Sequence, residues 1–536
     1  MAKNIFFIIL ALPLLISQFL FFPASWGKAT VFRILIIFLI YVFIYYLVFK
    51  KIKIDVSQIK KTKILWLFGL LFILTITSTI FSQDPYFSFW GDPQRAGGSL
   101  NFMLFLIFAV VAFVFIDKNS WNKIWDFNFI IASIIAALAI IIPSNYRPAS
   151  TMGGPAILAL YLALLIPLAL SLYFTTKRKL YLLCAGLFFA TILLTSSRGV
   201  LLGLLASFLY FIFSYKQKRW LKLAGVFLVL LFLAGIFFLR PVSIQDRVSV
   251  WTISLNALKE RPLLGFGPEN FSIAFDKYYQ RPLTEWFDRA HNIVFDISIP
   301  YGIPFLIIYF LIFAILFFKV PSLAVKSCFI IYFVSNLFNF DVFPTYLIIF
   351  LLLAYSMSLV YKSPLLHQET KGTNPFLQTA MIIVFILFFS FAWVSSLKPL
   401  YINKEVNEAR YFADNKEFEK SIEKLDALLS KHSIIDNYVR INYAITASRL
   451  IIFEPSLEKT LPLMEKSIKA LEEAAKLRPK YARTWYMLNV FSNAFLKYEP
   501  SEQIKQKALY YCQRAKELSP NHPLIIQECQ KTESLL

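Results

Sequence analysis

Residues 155–179 read PAILALYLALLIPLALSLYFTTKRK: an uncharged apolar run, then Lys177, Arg178 and Lys179 in succession. A helix rises about 1.5 Å per residue, so a run of this length crosses the ~30 Å hydrocarbon core of a bilayer. Cations gather at the cytoplasmic ends of spans, so the same stretch also gives an orientation. The pattern recurs along the chain. Apolar runs lie near 4–22, 30–49, 63–81, 99–116, 128–143, 155–174, 180–196, 199–215, 220–239, 292–318, 322–340, 342–361 and 377–396. They predict an all-α, polytopic transmembrane bundle of roughly 12–13 spans. The first run is read as a retained helix, because no small-residue cleavage site follows it and many spans do.

Composition agrees. Of the 536 residues, 58% are hydrophobic and only 16% charged, whereas soluble domains carry about 25% charged residues. One protein core cannot absorb that much apolar surface, so lipid must solvate most of it. The formal charge of +22 does not mark a nucleic-acid binder. From Tyr401 onward cations and anions nearly balance, and the excess lies in the membrane part, where topology accounts for it. The cysteines, Cys184, Cys328, Cys512 and Cys529, form no CxxC pair, and their spacing predicts neither a disulfide framework nor a zinc site.

Lys50, Lys51, Lys53, Lys60, Lys61 and Lys63 fall on the same side as the cluster at 177–179, as do Lys216, Lys218, Arg219 and Lys222. That side is expected to be the cytoplasm, with the N-terminus inside and the chain after the last span outside. The opposite side carries loops of another kind: 82–98, 144–154, the turn Ser196-Ser197-Arg198-Gly199 and the long segment 240–291. Their isolated arginines, Arg95, Arg147, Arg198 and Arg247, stand among Gly, Pro and aromatics, where topology requires no cation. Guanidinium groups fork onto phosphate oxygens, so these four are candidate ligands of a lipid-linked diphosphate. In 240–291, Val248, Trp251, Leu255 and Leu258 recur at helical spacing, with Asp246 able to cap the start and Pro262 and Gly265 ending the helix; a one-sided helix there should lie on the membrane surface. Of the four histidines, only His291 sits at the outer boundary, and it is the candidate acid–base group. Arg289, Asn292, Glu269, Asn270 and Trp251 form a second ring of candidate substrate contacts. DxD, HExxH and close external carboxylate pairs are missing. No metal ligands and no cofactor are expected, and arginine would take the place of a divalent cation.

Residues 1–396 are thus predicted as a transmembrane domain with the external loop 240–291, and 401–536 as a soluble helical domain. KSIKALEEAAKLRP and KALYYCQRAKELSP in the latter align, Ala474 with Ala515 and Pro479 with Pro520, and resemble the second helix of a tetratricopeptide repeat. Repeats of this kind bind peptides or protein partners.

FSQDPYFSFWGDPQRAGG, RPASTMGGPAILALYLALLIPLAL, TSSRGVLLGLLASF, DRVSVWTISLNALKERPLLGFGPENF and RAHNIVFDISIPYGIPFLIIYFLIF, taken in order and on one side, resemble the O-antigen ligase family over roughly residues 65–360. Relatives of that family include O-antigen polymerases and oligosaccharyltransferases acting on protein. The resemblance implies a fold like the all-helical membrane glycosyltransferases (GT-C-like) and transfer of a glycan from undecaprenyl diphosphate to an acceptor at the outer face of the cytoplasmic membrane. It also implies that Arg198 and Arg247 hold the diphosphate and that His291 activates the acceptor hydroxyl. The family often carries Asn-Pro-Asn where this chain has Gly153-Gly154-Pro155-Ala156. The expected function is a ligase or protein O-glycosylating enzyme, with a polysaccharide polymerase as the alternative. A lipid-glycan transporter or a scaffold displaying repeats is the reading of another class. A transporter should bury charge near the bilayer midplane and show repeated halves, and a scaffold has no reason to gather Arg and His on one face.

Overall fold

The computed structural model describes residues 2–535 apart from 21, 50–51, 96, 143–146, 215–221, 224, 228–240, 281–285, 364, 368–374 and 454–456. The run that opens the sequence reading forms the helix Pro155–Thr176, started by a proline at its first turn. It is the centre of the bundle. Leu158 to Leu165 are all almost fully buried, and the small Ala159, Ala163 and Ala169 let Lys179–Thr195 and Leu323–Asn336 pack closely against it. The neighbouring helix keeps Leu182, Leu183, Phe189, Leu193 and Leu194 exposed, as lipid-facing positions require.

Among the described residues, six helices are long and apolar enough to cross a membrane: Trp26–Val48, Lys63–Ile80, Lys118–Ile141, Pro155–Thr176, Phe343–Val360 and the one that starts at Pro375. Shorter apolar helices, Asn4–Leu14, Ser99–Phe115, Lys179–Thr195, Arg198–Ser214, Ile303–Lys319 and Leu323–Asn336, fill the remaining predicted positions. Most of the expected span at 220–239 lies outside the described residues. The chain is a polytopic helical membrane protein. One two-stranded ribbon, Ile52–Ile54 against Leu365–His367, accompanies the helices.

Two expectations about the membrane part need correction. The run 292–318 is not one span but two helices, Ile293–Tyr301 and Ile303–Lys319, parted at Gly302 with φ +86°. The break leaves carbonyls without helical partners, and these must be satisfied away from water. Ile299 accepts the Phe266 N–H at 2.7 Å, and Pro300 accepts the Gly267 N–H at 3.0 Å and the Ser78 hydroxyl at 2.7 Å. The GFGPENF turn is therefore plugged into the broken span. A Cβ at Gly265 would lie 2.3 Å from the Ile299 oxygen, so the turn requires glycine there. The second correction concerns the loop helix. It runs Pro241–Glu260, so Asp246 lies inside it rather than at its cap. Its inward face is Val250, Ile253 and Ala257, while Val248 and Leu255 are about half exposed. Of the apolar stripe read from the sequence, Val248 and Leu255 face outward, while Trp251 and Leu258 are partly buried.

The last apolar helix, Pro375–Ala392, continues through a π-turn at Trp393–Leu397 into Lys398–Asp414 without a linker. Helices that each pack against the next then follow to Ser534. The aligned Ala474 and Ala515 are both buried at helix contacts. Cys512 and Cys529 are joined by a disulfide, with Cα atoms 5.4 Å apart, contrary to the expectation from spacing. The pairing depends on the hairpin of Glu502–Leu518 with Pro523–Ser534, which no local motif reveals. This helical region docks on the loops of the membrane part. Arg478 forms a buried ion pair with Asp84 at 3.0 Å and lies 3.3 Å over the Phe87 ring. Ser519 and Asn521 donate to the carbonyls of Asp276 and Tyr279.

Candidate active site

His291 has a left-handed backbone, φ +53°, which a side chain with a Cβ rarely adopts without external support. The support is visible on both sides. The Asp296 carboxylate accepts the N–H groups of Ala290 at 2.9 Å and of Asn292 at 3.2 Å, the peptides flanking His291. Trp251 Nε1 donates to the Ala290 carbonyl at 3.1 Å. Asn292 caps the next helix by accepting from Val294 N–H, and its amide reaches the Leu337 carbonyl at 3.3 Å. The imidazole stands edge-on to Phe287 and Phe340, with centroids 5.9 and 4.8 Å away.

The turn 337–341 is the hub of the site. Arg247 donates to the Phe338 carbonyl at 2.9 Å. Arg95 lies over the Phe340 ring at 5.3 Å. Gly199, next to Arg198, abuts the same turn: a Cβ there would be 3.2 Å from Phe338 Cβ. Arg198 begins the helix Arg198–Ser214 and is half-buried, and among the described residues its guanidinium makes no hydrogen bond or ion pair. Arg147 bonds the Thr195 carbonyl at 2.5 Å and Ser197 Oγ at 3.2 Å, tying its loop to the Arg198 turn. The structure thus brings His291, Arg95, Arg198 and Arg247 around one short turn, with Arg147 behind it.

Residues 182–310 match the family model described as O-antigen ligase. That segment is similar to an O-antigen ligase domain. Searches of curated proteins and of solved structures found no match. The matched segment contains Arg198, Arg247, Glu269 and His291. The match supports membrane glycan transfer of the O-antigen ligase or polymerase type in general, which implies a lipid-linked glycan and an acceptor as the substrate classes.

Around His291 the electrostatics are one-sided. Burial, then the charges of Arg247, Arg95 and Arg289, push the His291 imidazole down to about 3, with Asp288 opposing. It is therefore neutral near pH 7. Burial lowers the Arg247 guanidinium from its usual range. The remaining sequence candidates are engaged internally. Arg289 is ion-paired with Glu269, both largely buried. Asn270 donates to Ser88 Oγ at 2.9 Å and to the Phe266 carbonyl at 3.1 Å. Trp251 is spent on Ala290. A cavity of about 40 Å³ beneath these groups is lined by Arg95, Glu269, Arg289, Asp296, Asp341 and Tyr346, among others. Among the described residues, no cluster of three His, Cys, Asp or Glu side chains is disposed to hold a metal ion.

Several contributors had no role in the sequence reading. Asp341 accepts from the Tyr332 hydroxyl at 2.5 Å and from Asn336 at 3.3 Å; the clue was a cluster of Asn336, Asn339 and Asp341 between two apolar runs. Arg33, inside a predicted span, is fully buried and donates to Asn101 Oδ1 and the Ser395 carbonyl, each at 2.7 Å. Lys28 is also fully buried and donates to the Thr151 carbonyl.

Proposed function

We propose that the protein transfers a glycan from an undecaprenyl-diphosphate-type lipid donor to an acceptor hydroxyl, as a ligase or protein O-glycosylating enzyme, at the outer face of the cytoplasmic membrane. The observation that carries this reading is a neutral, partly buried His291 with Arg95, Arg247 and Arg289 around it, and with Arg198, which makes no hydrogen bond or ion pair among the described residues, at the start of a helix that abuts the turn 337–341. His291 takes the acceptor proton as the hydroxyl oxygen bonds the anomeric carbon. The bond from that carbon to the diphosphate oxygen breaks, and Arg198 and Arg247 stabilise the charge that grows on the leaving group. A single displacement inverts the anomeric centre. Arginine stands where a divalent cation would otherwise act.

Arg198→Ala and Arg247→Ala should each weaken donor binding and slow transfer, since a charged hydrogen bond contributes about 1.5–3 kcal/mol. Arg→Lys should recover little, because an ammonium lacks the two-pronged geometry. Donor affinity and single-turnover rate are measured in lipid, with and without chelator. Unchanged values in both alanine variants remove the diphosphate site, and loss on chelation restored by magnesium replaces arginine by metal. Mass analysis of the product separates an enlarged acceptor from a donor lengthened by polymerisation.

The helical region 401–536 acts in this reading to position the acceptor or a protein partner, on the outer side. The Cys512–Cys529 disulfide supports that side, because disulfides persist in oxidising compartments. Single cysteines at Thr252 and Ser501 should react with an impermeant thiol reagent on cells stripped of any outer barrier, and one at Thr176 should not. The reverse pattern overturns the orientation.

A further inference from the structure

We propose that Arg483, on the C-terminal helical region, is a positioning residue of the transfer site and acts through Asp288 on the His291 turn. The inference rests on the glycosyl-transfer reading and adds a residue from outside the matched segment to its site. Asp288 is held from two directions. Arg95, from the loop 82–98, reaches one carboxylate oxygen at 3.2 Å, and Arg483, at the start of Ala482–Tyr498, reaches the other at 2.9 Å. Arg483 also lies 4.1 Å over the Trp286 ring. Trp286 in turn stacks on His522 at 4.2 Å and donates to Asp276 at 3.0 Å. The segment leading to His291 is thus fixed at Trp286 and Asp288 by the helical region, at Arg289 by Glu269 and at Ala290 by Trp251 and Asp296.

The Arg483 contact differs from the rest of the seam. Arg478–Asp84 is buried, and Ser519, Asn521 and Lys480 bond other loop residues. These hold the helical region in place without Arg483. The Arg483–Asp288 pair is partly exposed, with side chains 22% and 38% accessible, against 6% and 7% for Arg478–Asp84. Its effect is local. Asp288 competes with any bound anion for Arg95. Arg483 occupies the second oxygen of Asp288, so that Arg95 is not the only cation left to neutralise it. Without Arg483, Asp288 draws on Arg95 alone, and the His291 turn loses one anchor. The charged groups around His291 are Arg95, Arg247, Arg289 and Asp288, so this anchor sits among the reacting groups.

The test uses the full-length protein in lipid. Arg483→Ala should lower kcat/KM for the lipid-diphosphate donor about 10- to 100-fold, the size of effect a small misplacement produces, with a melting midpoint close to the parent's. Arg483→Lys should keep most of the rate, since the contact to Asp288 is a single charged hydrogen bond. In an Asp288→Asn background, Arg483→Ala should change the rate no further. Independently of activity, hydrogen exchange at the peptide spanning 286–296 should quicken in Arg483→Ala and not in Lys480→Ala. Parent-like exchange there overturns the proposal. So does an undiminished rate, or a loss as large in the Asp288→Asn background, which would mean docking alone. A parent that transfers no glycan refutes the glycosyl-transfer reading instead, and the exchange result then still decides whether Arg483 positions the turn.

Discussion

His291→Ala should abolish glycan transfer, lowering the single-turnover rate by about 10²–10⁴-fold, while donor affinity stays within a few-fold of the parent's. The separation follows from geometry. The imidazole packs against Phe287 and Phe340, whereas the candidate anion ligands are Arg247, which bonds the Phe338 carbonyl, and Arg198, whose helix start abuts the same turn. The backbone at 291 is held by Asp296 and Trp251 through its neighbours' peptides, so removing the ring leaves the loop anchored. A pH profile adds a second reading. Burial and the arginines hold the imidazole down to about 3, so the base form persists as pH falls. The rate should stay flat from about pH 8 to about pH 5, where an ordinary histidine with a pKa near 6.5 would protonate and fail. An active His291→Ala protein removes the base; a rate that halves near pH 6.5 means that the site is open to water and the arginines do not govern it.

The parts of this molecule that depend on length and hydrophobicity were legible in the sequence, and the parts that depend on pairing were not. A span needs only a long apolar run, so the helices of the bundle appear where the runs lie. The break at Gly302 was missed because its carbonyls are satisfied by a turn some 35 residues earlier in the chain, at Phe266 and Gly267. The start of the loop helix was set too late, at Asp246 rather than Pro241, and its buried row, Val250, Ile253 and Ala257, was not singled out. Where lipid is the neighbour, Val248 and Leu255 are as content outside. Arg33 and Lys28 sat unnoticed at the edge of an apolar run, yet each is fully buried and donates to a carbonyl of another segment. The candidate arginines stood out in the sequence because a cation on the side expected to be outer has no topological cause. What each one does could not. Arg289 turned out to be ion-paired and Arg147 to brace a turn, and both depend on residues distant in sequence. The contribution of the helical region at Asp288 had no local signal at all.

The largest stability effect should come from the Arg289–Glu269 pair. Its side chains are 14% and 6% accessible, and it lies at the edge of a cavity that also holds Asp296 and Asp341. Removing one partner of a buried pair leaves an uncompensated charge and costs about 3–5 kcal/mol, whereas replacing both with apolar groups is often neutral. Glu269→Gln should therefore lower the melting midpoint in lipid by several degrees, because Arg289 is then left beside Arg95 and Arg247 with less anionic charge to balance them. The double variant Glu269→Leu/Arg289→Met should recover most of that loss. Gly97→Ala supplies an independent route to the same pair. A Cβ at position 97 would fall 2.1 Å from Glu269 Oε1, so the carboxylate must shift off the guanidinium, and the variant should melt near Glu269→Gln. Transfer should not return with stability in the double variant, since the Arg289 charge is one of those that keep His291 neutral. If Glu269→Gln melts with the parent, the pair is solvated and the cavity edge is open. If the double variant is both stable and fully active, Arg289 acts only as scaffold, and the field at His291 is set by Arg247 and Arg95 alone.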